Sequence, residues 1–239
     1  MLSSDTVDDK GINELVEGER NLPLYLRRKS EAIMSLLEGE HVLEVGCGIG
    51  TVTRHLIEKG YRVVASDISR ICLSIAKQRG IEATLVKIDI CNINSSTNLL
   101  GRFDSAVMCT VLEHIQADDK ALHNIREFLK RSGILVVLVP AYKMLFSELD
   151  KHIGHYRRYS KSEILKKIAK EGFKVEYSRY WDLLGLVGWL VKCKLMREPQ
   201  LSTQLKNPIF DKIYESWLNI ESHIVLPFGL DIIVKARKV

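Results

Sequence analysis

The chain has 239 residues and a formal net charge of +5, with 46% hydrophobic and 27% charged residues. These values are those of an ordinary globular protein with length for one domain and a sizeable core. The five cysteines are odd in number and form no CxxC pair, which argues against a disulfide framework or a zinc site. No stretch is apolar for long enough to span a membrane, and the acidic, polar N-terminus argues against a signal peptide. We therefore expect a cytoplasmic protein and predict no metal site.

Helix and strand patterns alternate along the chain. Residues 12–38 predict one or two helices, and a short strand follows at 42–45. The later predicted elements are, in chain order, helix 51–59, strand 61–66, helix 69–79, strand 83–88, strand 103–108, helix 118–131, strand 134–139, helix 161–171, strand 173–179 and strand 230–236. Gly133 is the expected stop of helix 118–131. This alternation predicts a parallel sheet with helices on both faces.

The segment VLEVGCGIG, residues 42–50, joins a strand to a glycine turn. Gly46, Gly48 and Gly50 are spaced two apart, and an amphipathic helix pattern follows from Thr51. Glycine allows a positive φ and a close approach of the backbone to a ligand, and the start of a helix offers free N–H groups. The pattern predicts a site for a nucleotide-like cofactor, although many folds share a glycine turn of this kind.

Polar residues stand at the ends of the next three strands. Asp67, Asp89 and Cys109 each follow directly on one of them. Open α/β sheets bind ligands at the carboxyl ends of their strands, and a carboxylate about twenty residues after the glycine turn is placed to accept hydrogen bonds from ribose hydroxyls. We expect these residues to border the cofactor site.

Five segments resemble the motifs of class I S-adenosylmethionine-dependent methyltransferases of the small-molecule type. They are EVGCGIG at 44–50, SDIS at 66–69, IDI at 88–90, FDSAVMCTVLEHI at 103–115 and LKRSGILVVLVPA at 129–141. The first matches an acidic-x-Gly-x-Gly-x-Gly pattern and not the GxGxxG of nicotinamide enzymes. The resemblance implies an α/β fold with a Rossmann-like, doubly wound, seven-stranded and mostly parallel sheet. Its last strand would be antiparallel and preceded by a helical insertion.

The resemblance also implies S-adenosylmethionine as the cofactor. Glu44 would stabilise its ammonium group, Asp67 would hold the ribose hydroxyls, and Asp89 would accept from the adenine amino group. The full set of implied cofactor contacts is Glu44, Gly46, Cys47, Gly48, Gly50, Asp67, Ile68, Asp89, Ile90 and Cys109. Methyl transfer is an in-line displacement, so the main tasks of the protein would be alignment and exclusion of water.

The loop SELDKHIGHYRRYS, residues 147–160, carries a local excess of basic residues. Arg157, Arg158 and Tyr159 are the predicted substrate-binding residues, because guanidinium groups suit a carboxylate or a phosphate. The alternative is pairing of the arginines with acidic neighbours, which are Glu148, Asp150 and Glu163. The segment resembles a GHxRRY motif of bacterial and archaeal methyltransferases linked with glycan or lipid-carrier pathways.

Two histidines are candidate catalytic bases for a hydroxyl acceptor. His114 lies in the TVLEHI segment directly after Glu113, and His155 lies in the basic loop. Histidine titrates near neutral pH, which suits proton transfer. For His114 the alternative is a structural or cofactor-facing role.

The single domain divides into four predicted parts, which are an N-terminal helical cover at 1–40, a cofactor-binding core at 41–180, a helical insertion at 181–229 and a last strand at 230–239. Tyr25, Arg27 and Arg28 are candidates to cover the cofactor. The insertion begins with the apolar WDLLGLVGWLV, residues 181–191, and a second amphipathic helix is predicted over 209–226. Three roles are open for the insertion: core or lid packing, contact with a lipid or lipid-linked substrate, and a dimer interface.

The predicted function is methyl transfer to a small-molecule acceptor that is anionic or linked to a lipid or glycan, with peripheral membrane contact as one option. A nicotinamide-dependent oxidoreductase and a non-catalytic methyltransferase-like binding protein are the alternatives. A nucleic-acid substrate is not expected, because residues 109–112 read CTVL where base methyltransferases carry an Asn/Asp-Pro-Pro-aromatic tetrad. One basic loop also does not make an electrostatic track for a nucleic acid.

Overall fold

The computed structural model describes residues 9–191, 216–221 and 224–239. The strands are β1 His41–Val45, β2 Arg62–Asp67, β3 Thr84–Lys87, β4 Phe103–Cys109, β5 Leu129–Pro140, β6 Phe173–Trp181 and β7 Asp231–Lys238. The helices that bear on the site are α1 Asp9–Asn21, α2 Pro23–Met34, α3 Thr51–Glu58, α4 Arg70–Gln78, α5 Asp118–Phe128, α6 Glu148–His152, α7 Lys161–Lys170 and α8 Leu183–Trp189.

The strands form one seven-stranded sheet in the order β3-β2-β1-β4-β5-β7-β6. The pairs from β3 through β5 are parallel, and β7 lies antiparallel between β5 and β6. The predicted fold class is therefore confirmed. Because β7 runs against its neighbours, its first residue Asp231 pairs with Pro140 and Trp181 and lies at the carboxyl edge of the parallel strands.

Helices cover both faces of the sheet, and each face has its own core. One core joins β4 and β5 to α5 and α7 through side chains such as Leu122 and Ile164. The other joins the same strands to α2 and α3 through Ile33 and Leu56. A central strand buried on both faces needs a continuous apolar run, and residues 134–139 of β5 are all fully buried.

The boundary between α5 and β5 differs from the prediction. The helix ends at Phe128, and Leu129 already pairs with Phe103 in the sheet. The side chain of Leu129 is fully buried, which holds this residue in the strand. Gly133 is therefore not the stop of the helix. It lies inside β5, where a Cβ would meet the Cβ of Leu129 at 3.1 Å and the carbonyl oxygen of Asp104 at 3.2 Å.

The predicted insertion is described in part. It begins after β6 with α8, and Val187 of this helix and Leu190 and Val191 directly after it are exposed. Residues 192–215 and 222–223 lie outside the described part of the chain and include half of the predicted helix 209–226. Residues 216–221 of that prediction are helical. None of the described helices has both the length and the apolar character needed to cross a membrane.

Candidate active site

The glycine loop, residues 46–50, connects β1 to α3. Gly46 and Gly48 have φ values of 73° and 53°, which favour glycine. The N–H groups of Gly46 and Cys47 both donate to the carbonyl oxygen of Ser66, at 2.8 and 2.9 Å. A Cβ on Gly46 would lie 2.4 Å from Cγ2 of Val111, in the loop that follows β4. The glycine loop therefore packs directly against the end of β4.

Asp67 links the end of β2 to the glycine loop. Its Oδ2 accepts from the N–H of Gly48 and its Oδ1 from the N–H of Ser69, both at 2.8 Å. Burial raises the pKa of Asp67, and these backbone hydrogen bonds oppose that effect. Each carboxylate oxygen still has a lone pair, so the group can accept further hydrogen bonds, such as those from ribose hydroxyls.

Glu44 is the acidic residue that precedes the glycine loop. Its side chain is 2% exposed, and its Oε2 accepts a 2.6 Å hydrogen bond from the hydroxyl of Thr53. Burial raises the pKa of Glu44 to about 7, although the bond from Thr53 lowers it. A carboxyl group with this pKa ionises readily beside a cation, which suits the predicted contact with an ammonium group.

The other predicted cofactor residues stand on neighbouring strand ends. Ile68 and Asp89 are half-buried, and Asp89 Oδ1 accepts from the N–H of Cys91 at 2.8 Å. Ile90 is buried in the core, so its predicted contact with adenine would involve the edge of a packed side chain. Burial raises the pKa of the Cys109 thiol to about 11, which keeps it neutral at ordinary pH. This fits the predicted contact role of Cys109 and not a nucleophilic one.

The glycine loop is covered by α1, which belongs to the predicted N-terminal helical cover at 1–40. Leu15 Cδ1 lies 3.3 Å from the position that a Cβ of Gly48 would take. Glu19 of the same helix accepts from the hydroxyl of Thr51 at 3.3 Å and forms an ion pair with Arg79. Thus α1 is fastened over the loop by both apolar and charged contacts.

The three residues of α2 that were predicted to cover the cofactor, Tyr25, Arg27 and Arg28, contact other parts of the protein. Arg27 and Arg28 both pair with Glu31 on their own helix. Tyr25 packs on the ring of Trp181, with centroids 5.3 Å apart, and its hydroxyl donates to Asp231 at 3.4 Å. The helix therefore reaches the far half of the carboxyl edge, beyond the glycine loop.

Three side chains beyond β4 converge on one point. Glu113, His114 and His155, called the Glu113 cluster below, each offer a donor atom within 4.8 Å of the others. Glu113 is fully buried, and neither of its carboxylate oxygens has a hydrogen-bond partner. Oε1 of Glu113 lies 3.9 Å from Nε2 of His155, and the two histidine rings meet edge to face with centroids 4.5 Å apart.

A hydrogen-bond network positions His155. Its Nδ1 lies 3.0 Å from Oδ1 of the buried Asp150, which also accepts from Nε of Arg158 at 2.8 Å. The N–H of Tyr156 donates to the carbonyl oxygen of Glu113 at 2.8 Å and ties the basic loop to the loop after β4. The fixed ring presents Nε2 toward Glu113.

The pKa values within the cluster are shifted in opposite directions. Burial raises the pKa of Glu113 to about 8. Burial and the nearby His155 lower the pKa of His114 to about 4, against the effect of a backbone hydrogen bond at Gly154. His114 is therefore a neutral imidazole at ordinary pH, with a lone pair available to a proton or a cation.

The predicted substrate residues lie in a different setting from the one expected. Arg158 is 3% exposed and paired with Asp150, and its guanidinium stacks on Trp189 at 4.1 Å from the ring centroid. Arg157 pairs with Asp118 at 2.9 Å. The pair of Arg158 with Asp150 agrees with the alternative, which named Asp150 as a partner, whereas Asp118 was not among the partners expected for Arg157.

Tyr159 requires a correction. Its side chain is fully buried, and its hydroxyl donates to Asp118 at 2.9 Å and to the carbonyl oxygen of Leu112 at 3.3 Å. A substrate contact does not fit this position. The tyrosine instead anchors the basic loop beneath the Glu113 cluster.

A buried ion pair lies at the same edge. Lys29 of α2 is 3.8 Å from Asp231 at the start of β7, and both side chains are less than 10% exposed. Burial lowers the pKa of Lys29, but nearby acidic groups, Asp231 first among them, raise it above the usual value overall. The pair therefore places two opposite charges at the carboxyl edge of the sheet, next to the end of β5.

Comparison with known proteins decides the family. A family model described as a methyltransferase domain matches residues 19–178. The chain belongs to this methyltransferase family. The match sets aside the oxidoreductase alternative. We call the glycine loop with Glu44 and Asp67 the donor half of the carboxyl edge, and the Glu113 cluster with Lys29 and Asp231 the acceptor half, after the roles expected of them.

Several curated relatives of this methyltransferase are themselves named as methyltransferases. A ubiquinone biosynthesis O-methyltransferase of Coxiella burnetii is 27% identical over 121 residues, which cover 50% of this chain and 48% of that protein. One of the same name from Haemophilus ducreyi is 25% identical and covers 82% and 78%. An uncharacterized methyltransferase of Alkaliphilus oremlandii is 30% identical and covers 70% and 74%. The chain spans about half the length of the Coxiella relatives.

Solved structures agree on the fold. A SAM-dependent methyltransferase from Thermotoga maritima superposes with a TM-score of 0.65 at 19% identity, over 95% of this chain and 96% of that one. A second, from Archaeoglobus fulgidus, has a TM-score of 0.62 at 16% identity, over 94% and 99%. At these identities the likeness concerns the fold.

The methyl donor of this methyltransferase is S-adenosylmethionine, and the donor half fits it. A Cβ at Gly46 would clash with Val111, so only glycine lets the loop pack against the residues that follow β4. Asp67 retains acceptor capacity at the end of β2, and Glu44 is held ready for a cation. Gly46, Gly48, Glu44 and Asp67 are the residues that would hold the donor.

Sequence reasoning missed part of the acceptor half. It assigned no role to Glu113, although this residue stands next to a candidate base in the TVLEHI segment. It also missed Lys29, whose place on the helix could have been found, because Tyr25, Lys29 and Ile33 share one face of α2 at a spacing of four. Lys29 and Asp231 lie near opposite ends of the sequence, so no local pattern indicates their contact.

Proposed function

We propose that this methyltransferase transfers the methyl group of S-adenosylmethionine to a hydroxyl group of a small-molecule acceptor. The observation that carries the proposal is the Glu113 cluster, in which a buried carboxyl without a hydrogen-bond partner faces two imidazole rings. Val111, two residues before Glu113, packs on Gly46 of the glycine loop. The cluster and the donor loop are thus adjacent parts of one edge.

O-methylation balances as a simple displacement. Bound S-adenosylmethionine supplies an electrophilic methyl group. An oxygen lone pair of the acceptor forms the new C–O bond, the C–S bond breaks with its electrons on sulfur, and the hydroxyl proton passes to a lone pair of the cluster or to water. The side chains of the cluster assist this loss, because each offers a lone pair that stabilises a proton or a cation beside the oxygen.

The rest of the edge has a role in alignment. The glycine loop holds the donor through backbone contacts, and α1 lies over that loop through Leu15 and Glu19. Cover of this kind keeps water from the reacting groups and restricts the orientation of the donor. Asp150 and Arg158 hold His155 in one orientation toward the acceptor.

An acceptor with an apolar portion is favoured over a wholly polar one. The ring of Trp189 on α8 contacts Arg158, which places α8 beside the cluster. Val187 of this helix and Leu190 and Val191, which follow it, are exposed. Relatives at 25–27% identity that are named as O-methyltransferases of ubiquinone biosynthesis support the hydroxyl as the methylated group.

The test is transfer of label from methyl-labelled S-adenosylmethionine to a panel of acceptors. Catechols, isoprenoid-substituted phenols and lipid-linked glycans should accept label, and matched amines and carboxylic acids should not. Asp67→Ala is the control variant that should lose transfer through the donor. Transfer confined to amines or carboxylic acids would contradict O-methylation. Absence of transfer to any acceptor, with intact binding of S-adenosylhomocysteine, would support a non-catalytic binding protein.

A further inference from the structure

The carboxylate of Glu113 has no hydrogen-bond partner although it is fully buried. The charges of Lys29 and Arg158 act on Glu113. Each of these cations, however, forms its ion pair with another carboxylate, Lys29 with Asp231 and Arg158 with Asp150. Burial of an unsatisfied polar group is costly, and such a group in a native structure calls for an explanation, such as an ion. The two groups nearest to the carboxylate are the imidazoles of His155 and His114, which are themselves metal-ligand types.

We infer that Glu113, His114 and His155 bind one divalent transition-metal cation of the Zn²⁺ type. One carboxylate oxygen and two imidazole nitrogens form the donor set of many catalytic zinc sites, which keep a further position open. Donor atoms bonded to one tetrahedral ion at about 2.0–2.2 Å lie about 3.3–3.6 Å from each other. The donor atoms of the cluster lie within 4.8 Å of one another, so ion binding would draw them together by up to about 1.5 Å. Oε1 of Glu113 and Nε2 of His155, now 3.9 Å apart, would have to approach by only about 0.5 Å.

The surroundings of His155 support the assignment independently. Histidine ligands usually donate their second ring N–H to a carboxylate, which fixes the tautomer and the direction of the ligating nitrogen. Asp150 lies 3.0 Å from Nδ1 of His155, so the other nitrogen, Nε2, carries the lone pair that faces Glu113. Asp150 is itself fixed by Arg158 and by the N–H of Ser147, both at 2.8 Å. The ligand is thus pre-oriented before any ion enters.

The donor set also selects among cations. Imidazole suits Zn²⁺ and its transition-metal neighbours, whereas Mg²⁺ prefers oxygen ligands and retains several waters. With two nitrogens and one oxygen, the cluster should bind Zn²⁺ and Co²⁺ much more tightly than Mg²⁺. The preference follows from the ligand types and is a property that a merely structural cluster would lack.

The role of the cation in the reaction rests on the proposed O-methylation. The cation site itself is inferred from the Glu113 cluster alone and does not depend on that proposal. A divalent cation lowers the pKa of an oxygen acid that it binds. An acceptor hydroxyl at the open position would then lose its proton more easily. In this arrangement His114 and His155 are ligands, and the sequence prediction of a histidine base is replaced by a cation that the two histidines hold.

The experiment is calorimetric titration of the metal-free full-length protein with ZnCl₂, CoCl₂ and MgCl₂. We expect one equivalent of Zn²⁺ or Co²⁺, a visible absorption band for bound Co²⁺, and much weaker binding of Mg²⁺. Glu113→Gln and His155→Gln should each lower Zn²⁺ affinity by about 100-fold or more, and Asp150→Asn by about 10- to 100-fold. His123→Gln, which changes an exposed histidine paired with Glu171, is the matched control and should bind as wild type.

Two outcomes would overturn the site: equal Zn²⁺ binding by wild type and the cluster variants, or Mg²⁺ affinity equal to that for Zn²⁺. Binding of S-adenosylhomocysteine by each variant shows that it is folded. A failure of the metal site can be distinguished from a failure of the proposed function, because metal binding is measured without any methyl acceptor. Zn²⁺ bound at the cluster with no hydroxyl methylated would keep the site and reject O-methylation.

Discussion

The two halves of the carboxyl edge are held together in different ways. The donor half relies on the main chain: the N–H groups of Gly48 and Ser69 satisfy Asp67, and Gly46 is tied to Ser66. The acceptor half relies on side chains that come from distant segments. Its parts include the buried pair of Lys29 and Asp231 and the unpartnered Glu113.

This difference separates binding from reactivity. A half made of satisfied backbone contacts can hold a ligand with little rearrangement, because its geometry is already fixed. A half that contains buried charge stores free energy that a ligand or an ion can release, and such groups cluster at functional sites. We therefore expect changes in the donor half to lower cofactor affinity, with or without an effect on stability. Changes in the acceptor half should leave cofactor affinity unchanged and act on stability and on transfer.

The largest expected effect concerns the buried ion pair of the acceptor half. Asp231→Ala leaves Lys29 buried without its partner, which should lower the free energy of unfolding by about 3–5 kcal/mol. Urea denaturation measures this value. The double variant Lys29→Met with Asp231→Leu should recover most of the loss, since apolar residues can replace a buried pair. A double variant as unstable as the single one would show that the charge itself is not the cause.

Glu44 should give the donor half a dependence of stability on pH. Its pKa is about 7 in the folded protein against an ordinary 4.5, with burial as the main cause. Between these values the folded state holds more protons than the unfolded state, so its stability falls as pH rises. Glu44→Gln removes this slope, and the contribution is at most about 3 kcal/mol. Unfolding curves from pH 4.5 to 7.5 for both proteins check the prediction, and parallel curves would contradict it.

Asp67 should dominate affinity for the donor. Loss of hydrogen bonds to a charged acceptor costs about 1.5–3 kcal/mol, so Asp67→Ala should weaken binding of S-adenosylhomocysteine by roughly 10- to 150-fold. Arg157→Ala is the control, because its partly exposed pair with Asp118 lies outside the donor half. Isothermal calorimetry gives both values, and an equal loss in the control would remove the distinction between the halves.

The glycine loop offers the finest comparison. Gly46 and Gly60 both have a positive φ, at 73° and 91°, but only Gly46 lacks space for a Cβ. Alanine at either position should cost about 1–2 kcal/mol of stability through backbone strain. Only Gly46→Ala should also weaken S-adenosylhomocysteine binding, by about tenfold, which corresponds to about 1.4 kcal/mol. Equal affinities for the two variants would show that the loop tolerates a side chain.

The same difference explains what the sequence could predict. Gly46, Asp67 and Asp89 lie in short segments with fixed spacing, so the donor half follows from local pattern. The fold follows from the alternation of helix and strand for the same reason. The boundary at Leu129 could not be placed, because burial and pairing with Phe103 overrode the helical pattern.

The acceptor half depends on contacts that no local pattern contains. Asp150 and Arg158 are near in sequence, yet their burial beneath His155 appears only in the folded chain. The basic loop was interpreted as an anion clamp because charge counts do not show which partners the arginines have. Glu113 and His155 are 42 residues apart, and only the turn of the basic loop onto β4 brings them together.

The central claim is tested most directly by measuring two properties of one variant, Glu113→Gln. We predict that its affinity for S-adenosylhomocysteine stays within about twofold of wild type, while methyl transfer to a hydroxyl acceptor falls by about 100-fold or more. A parallel loss of both properties would contradict the division of the edge into a donor half and an acceptor half. Transfer at the wild-type rate would remove Glu113 from the reaction.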